Sequence, residues 1–148
     1  MTQPSLFGSE PSIGSATAHI DGGSRGNPGP AGYGVHIERE DGTIVELKQA
    51  VGHSTNNVAE YNGLIAALRW AADNGVGTLR VKSDSELLVK QMRGEYRVKN
   101  PGLQPLYEEA HALAGRIGRV TFEHVRREFN TDADRLANEA MDEAAGST

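Results

Sequence analysis

Apolar and polar positions alternate along the first part of the chain and later recur with helical spacing. The alternation predicts three strands near the N-terminus, and Asp41-Gly42 between the second and the third strand is a strong signal for a tight hairpin. Further along, apolar residues three and four positions apart predict helices. The predicted strands cover residues 17–21, 32–40, 43–51, 78–83 and 120–125, and the predicted helices cover residues 56–74, 85–92, 102–114 and 131–144.

This order of elements predicts one α/β domain. The helix between the third and fourth strands permits parallel pairing through a crossover, so we expect a five-stranded mixed sheet, with three antiparallel strands and then parallel strands, flanked by helices. Asn56 or Asn57 is expected to cap the first helix. Residues 1–15 are rich in Ser, Gly and Pro and predict a flexible tail, which leaves 16–145 for the domain and 146–148 for a flexible C-terminus.

Composition narrows the class of protein. The 148 residues suit a single domain with a proper core, and the absence of cysteine excludes disulfides and thiolate metal sites. The sequence contains no apolar run of membrane-spanning length and no signal-peptide pattern. We therefore expect a monomeric cytoplasmic protein with no membrane partner.

The overall charge of −5 alone would argue against nucleic-acid binding, but the charges are unevenly distributed along the chain. Residues 80–99 carry six basic and three acidic side chains, and residues 116–127 carry four basic and one acidic side chain. Residues 128–148 carry six acids and one arginine. Local basic stretches of this kind are compatible with phosphate binding, although charge alone favours an ordinary solvated surface.

Four acidic residues stand where a metal site would need them. Asp21 ends the first predicted strand before a loop rich in glycine and proline, and Glu60 heads the apolar face of the first helix. Asp84 directly follows a strand, and Asp134 opens the last helix. A desolvated carboxylate has to be paired, protonated or metal-bound. Without cysteine, this set suits Mg²⁺ or Mn²⁺ and predicts a metal-dependent enzyme acting on a phosphodiester.

Each of these acids also has an ordinary structural explanation. Asp84 and Asp134 could be helix-start acids, which the helix dipole favours. Glu60 could be an ion-paired side chain, and Asp21 could be a turn acid. The metal site is therefore a hypothesis about the four acids taken together.

Four short motifs follow one another along the chain: residues 21–34 (DGGSRGNPGPAGYG), 55–60 (TNNVAE), 83–85 (SDS) and 133–137 (ADRLA). Together they resemble the motifs of type 1 ribonuclease H. The resemblance covers about residues 16–144 and is to the short bacterial and archaeal form that lacks the long basic protrusion. It implies the ribonuclease H fold and an endoribonuclease that hydrolyses the RNA strand of RNA–DNA hybrids, leaving 3′-hydroxyl and 5′-phosphate ends. The implied role is the removal of RNA primers or R-loops.

The resemblance also implies two divalent ions, Mg²⁺ or Mn²⁺, and a role for each acid. Asp21 would bridge both ions, Asp134 would help to hold the ion that activates water, and Glu60 and Asp84 would hold the ion that stabilises the leaving oxygen. Substrate contacts are implied from the glycine-rich loop to the RNA minor groove, from the start of the first helix to the DNA strand, and from the start of the second helix to the RNA strand. These residues are Gly22, Gly23, Ser24, Asn27, Thr55, Asn56, Asn57 and Ser85.

One part of the chain departs from the family pattern. Many members have a histidine in a glycine-flanked loop before the last aspartate, and this chain has no such loop. Three residues are candidates for the same assisting role: His124, which the alternation places within a strand, and Arg126 or Arg127. The missing basic protrusion predicts weaker binding of the hybrid and a gentler salt dependence.

The N-terminal segment and the domain each leave an alternative interpretation open. Residues 3–7 (QPSLF) resemble the peptide by which bacterial replication and repair proteins bind the sliding clamp, with Gln3, Leu6 and Phe7 as the contact residues; an inert tail is the alternative. For the domain itself, the alternatives are a non-catalytic hybrid-binding module and another nuclease on the same fold.

Overall fold

The computed structural model describes residues 14–146, which form five strands, four α-helices and one turn of 3₁₀ helix. Within that range, no helix combines the length and the apolar content needed to span a membrane. The elements in chain order are β1 Ser15–Ser24, β2 Gly29–Arg39, β3 Ile44–Ser54, α1 Asn56–Asp73, β4 Thr78–Ser83, α2 Glu86–Met92, α3 Gln104–Gly115, β5 Arg119–His124, the 3₁₀ turn Arg127–Phe129 and α4 Thr131–Gly146.

The five strands form one sheet in the order β3-β2-β1-β4-β5. β2 pairs antiparallel with both β1 and β3, while β4 pairs parallel with both β1 and β5. The predicted five-stranded mixed sheet is therefore confirmed. Because β4 joins β1 in parallel, the carboxyl ends of these two central strands lie side by side, with Ile20 opposite Ser83.

Helices cover both faces of this sheet. On one face, β1 buries Ala18 and Ile20 against α1, whose buried residues recur with helical spacing as predicted and include Leu64 and Leu68. α3 packs against α1 on the same side. α4 covers the other face and lies directly on β2, since a Cβ at Gly32 would come within 2.5 Å of the Ala140 Cβ. The sheet and α1 thus enclose the main core, and α4 is held close to the second face.

β1 is longer than the sequence pattern predicted. The prediction ended the strand at Asp21, but β1 continues to Ser24 because the glycine-containing segment pairs with β2, with Gly22 opposite Tyr33 and Ser24 opposite Ala31. Glycine has a low preference for strands, and here the pairing with the neighbouring strand overrides that preference.

The cap of α1 also differs from the prediction. The sequence pattern favoured Asn56 or Asn57, but Thr55 is the capping residue, and its hydroxyl accepts a hydrogen bond from the Val58 N–H at 3.2 Å. Asn56 is already helical, and its side chain is engaged with the glycine-rich loop instead. At the other end, the helix stops at Asp73, one residue before the predicted end, and Asn74 is its C-cap.

Candidate active site

The four predicted carboxylates converge on one cleft with a volume of about 440 Å³. Its remaining lining comes from the glycine-rich loop, the start of α1, the 3₁₀ turn and α4. The lining residues are Asp21, Gly22, Gly23, Ser24, Arg25, Asn56, Glu60, Asp84, Arg127, Asp134, Asn138 and Met141.

The fold explains why residues so distant in sequence meet here. Asp21 lies on β1, and Asp84 follows the end of β4, the strand that is parallel to β1 and adjacent to it. Glu60 projects from the beginning of α1, and Asp134 lies in the first turn of α4. The site is therefore at the carboxyl edge of the central parallel pair, where open α/β sheets commonly place their ligands.

Negative charge in the cleft is only partly compensated. Burial, the negative charge of Asp84 and a hydrogen bond with Asp134 together raise the pKa of Asp21 to about 8, with burial as the largest cause. Burial is also the main reason why the pKa of Glu60 is raised to about 7, although a hydrogen bond from Ser85 acts in the opposite direction. Burial and the neighbouring negative charge thus make Asp21 and Glu60 harder to ionise.

A nearby arginine offsets little of this charge. The Arg127 Nε lies 4.0 Å from the Asp84 Oδ2, but the arginine side chain is 85% exposed, whereas the aspartate side chain is 14% exposed. An ion pair with one partner so accessible to water is weak. A set of oxygen donors with excess negative charge fits a hard divalent cation such as Mg²⁺ or Mn²⁺.

Gly22 determines how closely Glu60 approaches Asp21. A Cβ at Gly22 would lie 2.5 Å from the Ala59 carbonyl carbon and 2.6 Å from the Glu60 nitrogen, both of them backbone atoms of α1. Only a residue without a side chain lets the helix and the strand approach so closely. Besides lining the cleft, Gly22 therefore brings two carboxylates into one site.

Asparagine side chains attach the glycine-rich loop to α1. The Asn56 Oδ1 accepts hydrogen bonds from the Ser24 backbone N–H at 2.8 Å and from the Ser24 hydroxyl at 3.0 Å. The Asn56 N–H in turn donates to the Asn27 Oδ1 at 3.0 Å. Three of the predicted substrate-contacting residues are thus bonded to one another, which fixes the shape of the loop at the rim of the cleft.

The predicted substrate-contacting residues fall into two groups. Half of them line the cleft. Of the others, Thr55 caps α1, Ser85 caps α2 and bonds to Glu60, and Asn27 bonds to Asn56. The lining group is Gly22, Gly23, Ser24 and Asn56, and the other group is Asn27, Thr55, Asn57 and Ser85.

Of the three candidate loop residues, Arg127 lines the cleft. Arg126 pairs with Glu128 at 2.8 Å and lies over the Phe129 ring, and His124 is exposed at the end of β5. The geometry thus favours Arg127 over the other two for any contact with a bound substrate.

The sequence pattern gave no indication of the role of Asn130. This residue is only 1% exposed. Its side-chain Nδ2 donates to the Ile20 carbonyl at 2.9 Å, and its backbone carbonyl accepts from the Asp134 N–H at 3.0 Å. Asn130 thus joins the strand that carries Asp21 to the helix that carries Asp134. In sequence it is simply a polar residue before a helix, and only its burial reveals the connection.

A second group of potential ligand atoms lies outside the cleft. His36, Glu46 and Asp132 place ligand atoms within 4.8 Å of one another. The Arg135 guanidinium, however, lies 2.7 Å from the Glu46 Oε2 and 3.7 Å from the Asp132 Oδ1, which supplies the positive charge. We interpret this group as an ion-pair network that holds the start of α4 against β2 and β3.

Comparisons with known proteins agree with the fold. A family model described as "Reverse transcriptase-like" matches residues 19–140. A bifunctional protein of Mycobacterium tuberculosis is 55% identical over 129 residues, which is 86% of this chain and 35% of that protein. The chain thus spans about a third of that relative's length. A ribonuclease H of Hydrogenovibrio crunogenus is 31% identical over 138 residues, covering 85% of this chain and 94% of the relative.

Solved structures extend the comparison to three dimensions. The N-terminal ribonuclease H domain of the M. tuberculosis protein, solved as a fusion with maltose-binding protein, matches with a TM-score of 0.87 and 52% identity over 90% of this chain and 98% of that one. The ribonuclease H1 known as LC11, solved in complex with an RNA/DNA hybrid, matches with a TM-score of 0.82 and 41% identity, covering 88% of this chain and 99% of that one.

Proposed function

Because the chain belongs to the ribonuclease H family, we propose that it is an endonuclease that hydrolyses the RNA strand of RNA–DNA hybrids. The observation that carries this proposal is the convergence of Asp21, Glu60, Asp84 and Asp134 beside the glycine-rich loop. The match to the LC11 structure, which is bound to an RNA/DNA hybrid, supports the choice of substrate. We further propose a role in removing RNA primers or R-loops.

The four carboxylates, Asp21, Glu60, Asp84 and Asp134, would hold two Mg²⁺ or Mn²⁺ ions. When bound, paired divalent ions supply an activated water and stabilise the attacking and leaving oxygens of an in-line displacement, which leaves 3′-hydroxyl and 5′-phosphate ends. The protein's own contribution is to hold the four carboxylates ready. Burial and mutual repulsion raise the pKa values of Asp21 and Glu60, so cation binding competes with protonation at these two residues.

Residues around the carboxylates would position the substrate. Gly22 and Gly23 line the cleft and would meet the RNA strand there, whose 2′-hydroxyls offer contacts that DNA lacks. Asn56 keeps Ser24 in place at the rim through its two hydrogen bonds. Arg127 supplies positive charge beside Asp84.

The proposal is tested by cleavage of end-labelled RNA–DNA hybrid, with duplex DNA, duplex RNA and single-stranded RNA as controls, in Mg²⁺, Mn²⁺ or chelator. We expect metal-dependent cutting of the hybrid's RNA strand alone. Asp84→Asn is expected to lower the cleavage rate about a thousandfold or more while hybrid binding is retained, because one ligand is lost but the surface remains.

Other outcomes would favour the alternative functions. Binding without cutting under every metal would indicate a non-catalytic hybrid-binding module. Cutting of duplex DNA or of RNA alone would indicate a different nuclease on the same fold. The exposed acid Asp73, changed to Asn, provides a matched control that should leave the cleavage rate unchanged.

We also propose that residues 3–7 bind a sliding clamp. This segment lies outside the described residues, and the support is the apolar pair Leu6 and Phe7 in an otherwise polar stretch. Deletion of residues 1–8 should weaken clamp binding, measured by surface plasmon resonance, about tenfold or more. The same deletion should leave cleavage of the end-labelled hybrid unchanged. Equal clamp affinity for both chains would show that the tail does not bind.

A further inference from the structure

Arg25 lines the carboxylate cleft, but none of the roles described above includes it. It lies in the glycine-rich loop, and its Nη2 donates to the Asn138 carbonyl at 3.3 Å and to the Asn138 Oδ1 at 3.2 Å. The same nitrogen forms an ion pair with the Asp142 Oδ1 at 2.9 Å. The side chain therefore reaches from the loop across to α4.

The position of these partners places the Arg25 guanidinium beside α4, beyond Asp134 along the helix. Asn138 and Asp142 follow Asp134 by one and two turns of α4, about 6 and 12 Å along the helix axis. Arg127, by contrast, lies beside Asp84. Among the described residues that line the cleft, these two arginines carry the positive charge.

The ion pair between Arg25 and Asp142 is exposed enough for a phosphate to replace the carboxylate. The Arg25 and Asp142 side chains are 45% and 67% exposed, and pairs as accessible as this hold weakly. A phosphate offers a guanidinium several oxygens in a geometry that permits two parallel hydrogen bonds. The bonds to Asn138 would meanwhile keep the side chain extended along α4.

We propose that Arg25 binds a backbone phosphate of the strand being cut, next to the phosphate that is cleaved, and that Asp142 holds the guanidinium in place when no nucleic acid is bound. This inference rests on the proposed function, since it assumes that a nucleic-acid strand occupies the cleft. The competing explanation is that Arg25 only attaches the glycine-rich loop to α4.

Salt-dependent binding separates these two explanations. Fluorescence anisotropy with a labelled RNA–DNA hybrid would be measured in the Asp84→Asn background, at several salt concentrations, for Arg25→Gln, Arg25→Lys and Asp142→Asn. Arg69→Gln is the matched control, because Arg69 is also an exposed arginine paired with an acid, Glu109, but it lies on α1 facing α3.

A phosphate contact predicts a specific pattern. Arg25→Gln should weaken binding about tenfold at low salt and reduce the slope of log K against log salt by about 1. Arg25→Lys should restore most of the slope, because the charge is kept. Asp142→Asn should bind as tightly as the parent or more tightly, because the competing carboxylate is gone.

Two results would overturn the inference while leaving the proposed function intact. One is Arg25→Gln behaving like Arg69→Gln in both affinity and slope. The other is Asp142→Asn weakening binding as much as Arg25→Gln, which would identify the pair as a structural attachment. If the parent protein does not bind the hybrid at all, both the proposed function and this inference are wrong.

Discussion

Asp21→Asn is expected to abolish cleavage and at the same time to raise the melting temperature of the metal-free protein. Loss of the central ligand should lower the cleavage rate about a thousandfold or more. The gain in stability has a separate cause: burial and the negative charge of Asp84 raise the pKa of Asp21 to about 8, so ionising this carboxyl destabilises the folded state. A neutral amide of the same shape removes that penalty.

The stability gain of Asp21→Asn over the wild type should increase as the pH rises. The Asp21 carboxyl titrates near pH 4 in the unfolded chain and near pH 8 in the folded one, so between these values the folded state binds the extra proton. The free energy of unfolding therefore falls as the pH rises through this window. Asp21→Asn should match the wild type near pH 4 and exceed its melting temperature by roughly 3–8 °C near pH 8.

Calorimetry in chelator from pH 4 to pH 8, repeated with added Mg²⁺, measures both effects. Mg²⁺ should raise the melting temperature of the wild type at pH 8 more than that of Asp21→Asn, because the variant lacks a ligand. Asp73→Asn, at an exposed position at the end of α1, serves as the control and should show no such pH-dependent gain. A metal-free Asp21→Asn that melts at or below the wild-type temperature at pH 8 would contradict the raised pKa.

Gly22→Ala is expected to destabilise the protein by about 3 kcal/mol and to impair cleavage in the molecules that still fold. The added Cβ would lie 2.5 Å from a backbone carbon of Ala59, so α1 or β1 has to move. Because backbone atoms cannot rotate away as a side chain can, the displacement passes to the adjacent Glu60. Folding and the geometry of the site therefore depend on the same missing side chain.

The neighbouring glycine provides a matched control for this effect. A Cβ at Gly23 would meet the Met141 side chain at 3.4 Å, which is ordinary contact with a flexible group. Gly23→Ala should therefore change the free energy of unfolding by less than about 1 kcal/mol. Urea denaturation of the three proteins gives both values, and equal destabilisation by the two substitutions would show that the close approach of α1 to β1 is not the cause.

The sequence was sufficient to identify individual acids but not the arrangement that joins them. Glu60 is recognisable from the apolar face of its helix, and Asp84 from its place directly after a strand. That Asp84 lies beside Asp21 depends on β4 pairing with β1, and local periodicity does not specify which strands pair. A hydrophobic pattern indicates which face of a strand or helix is buried, but it does not indicate which other element packs against that face.

The structural roles that the sequence did not predict depend on contacts between distant segments. Asn130 links Ile20 to Asp134, and Gly22 packs on the α1 backbone, contacts that exist only once the elements have assembled. The cap of α1 was misplaced by one position for a similar reason. Asn56 is a good capping residue in isolation, but its side chain binds Ser24, and Thr55 takes the cap.

The place of Asp134 on the last helix has a consequence for the newly made protein. During translation β1 to β5 emerge first, and the cleft then holds three of its four carboxylates while one face of β2 is uncovered. The fourth carboxylate arrives only when α4 has left the ribosome and packed onto the sheet. The cleft of a newly made chain is therefore incomplete until α4 has packed, and we expect cleavage to depend on a segment that is synthesised after β5.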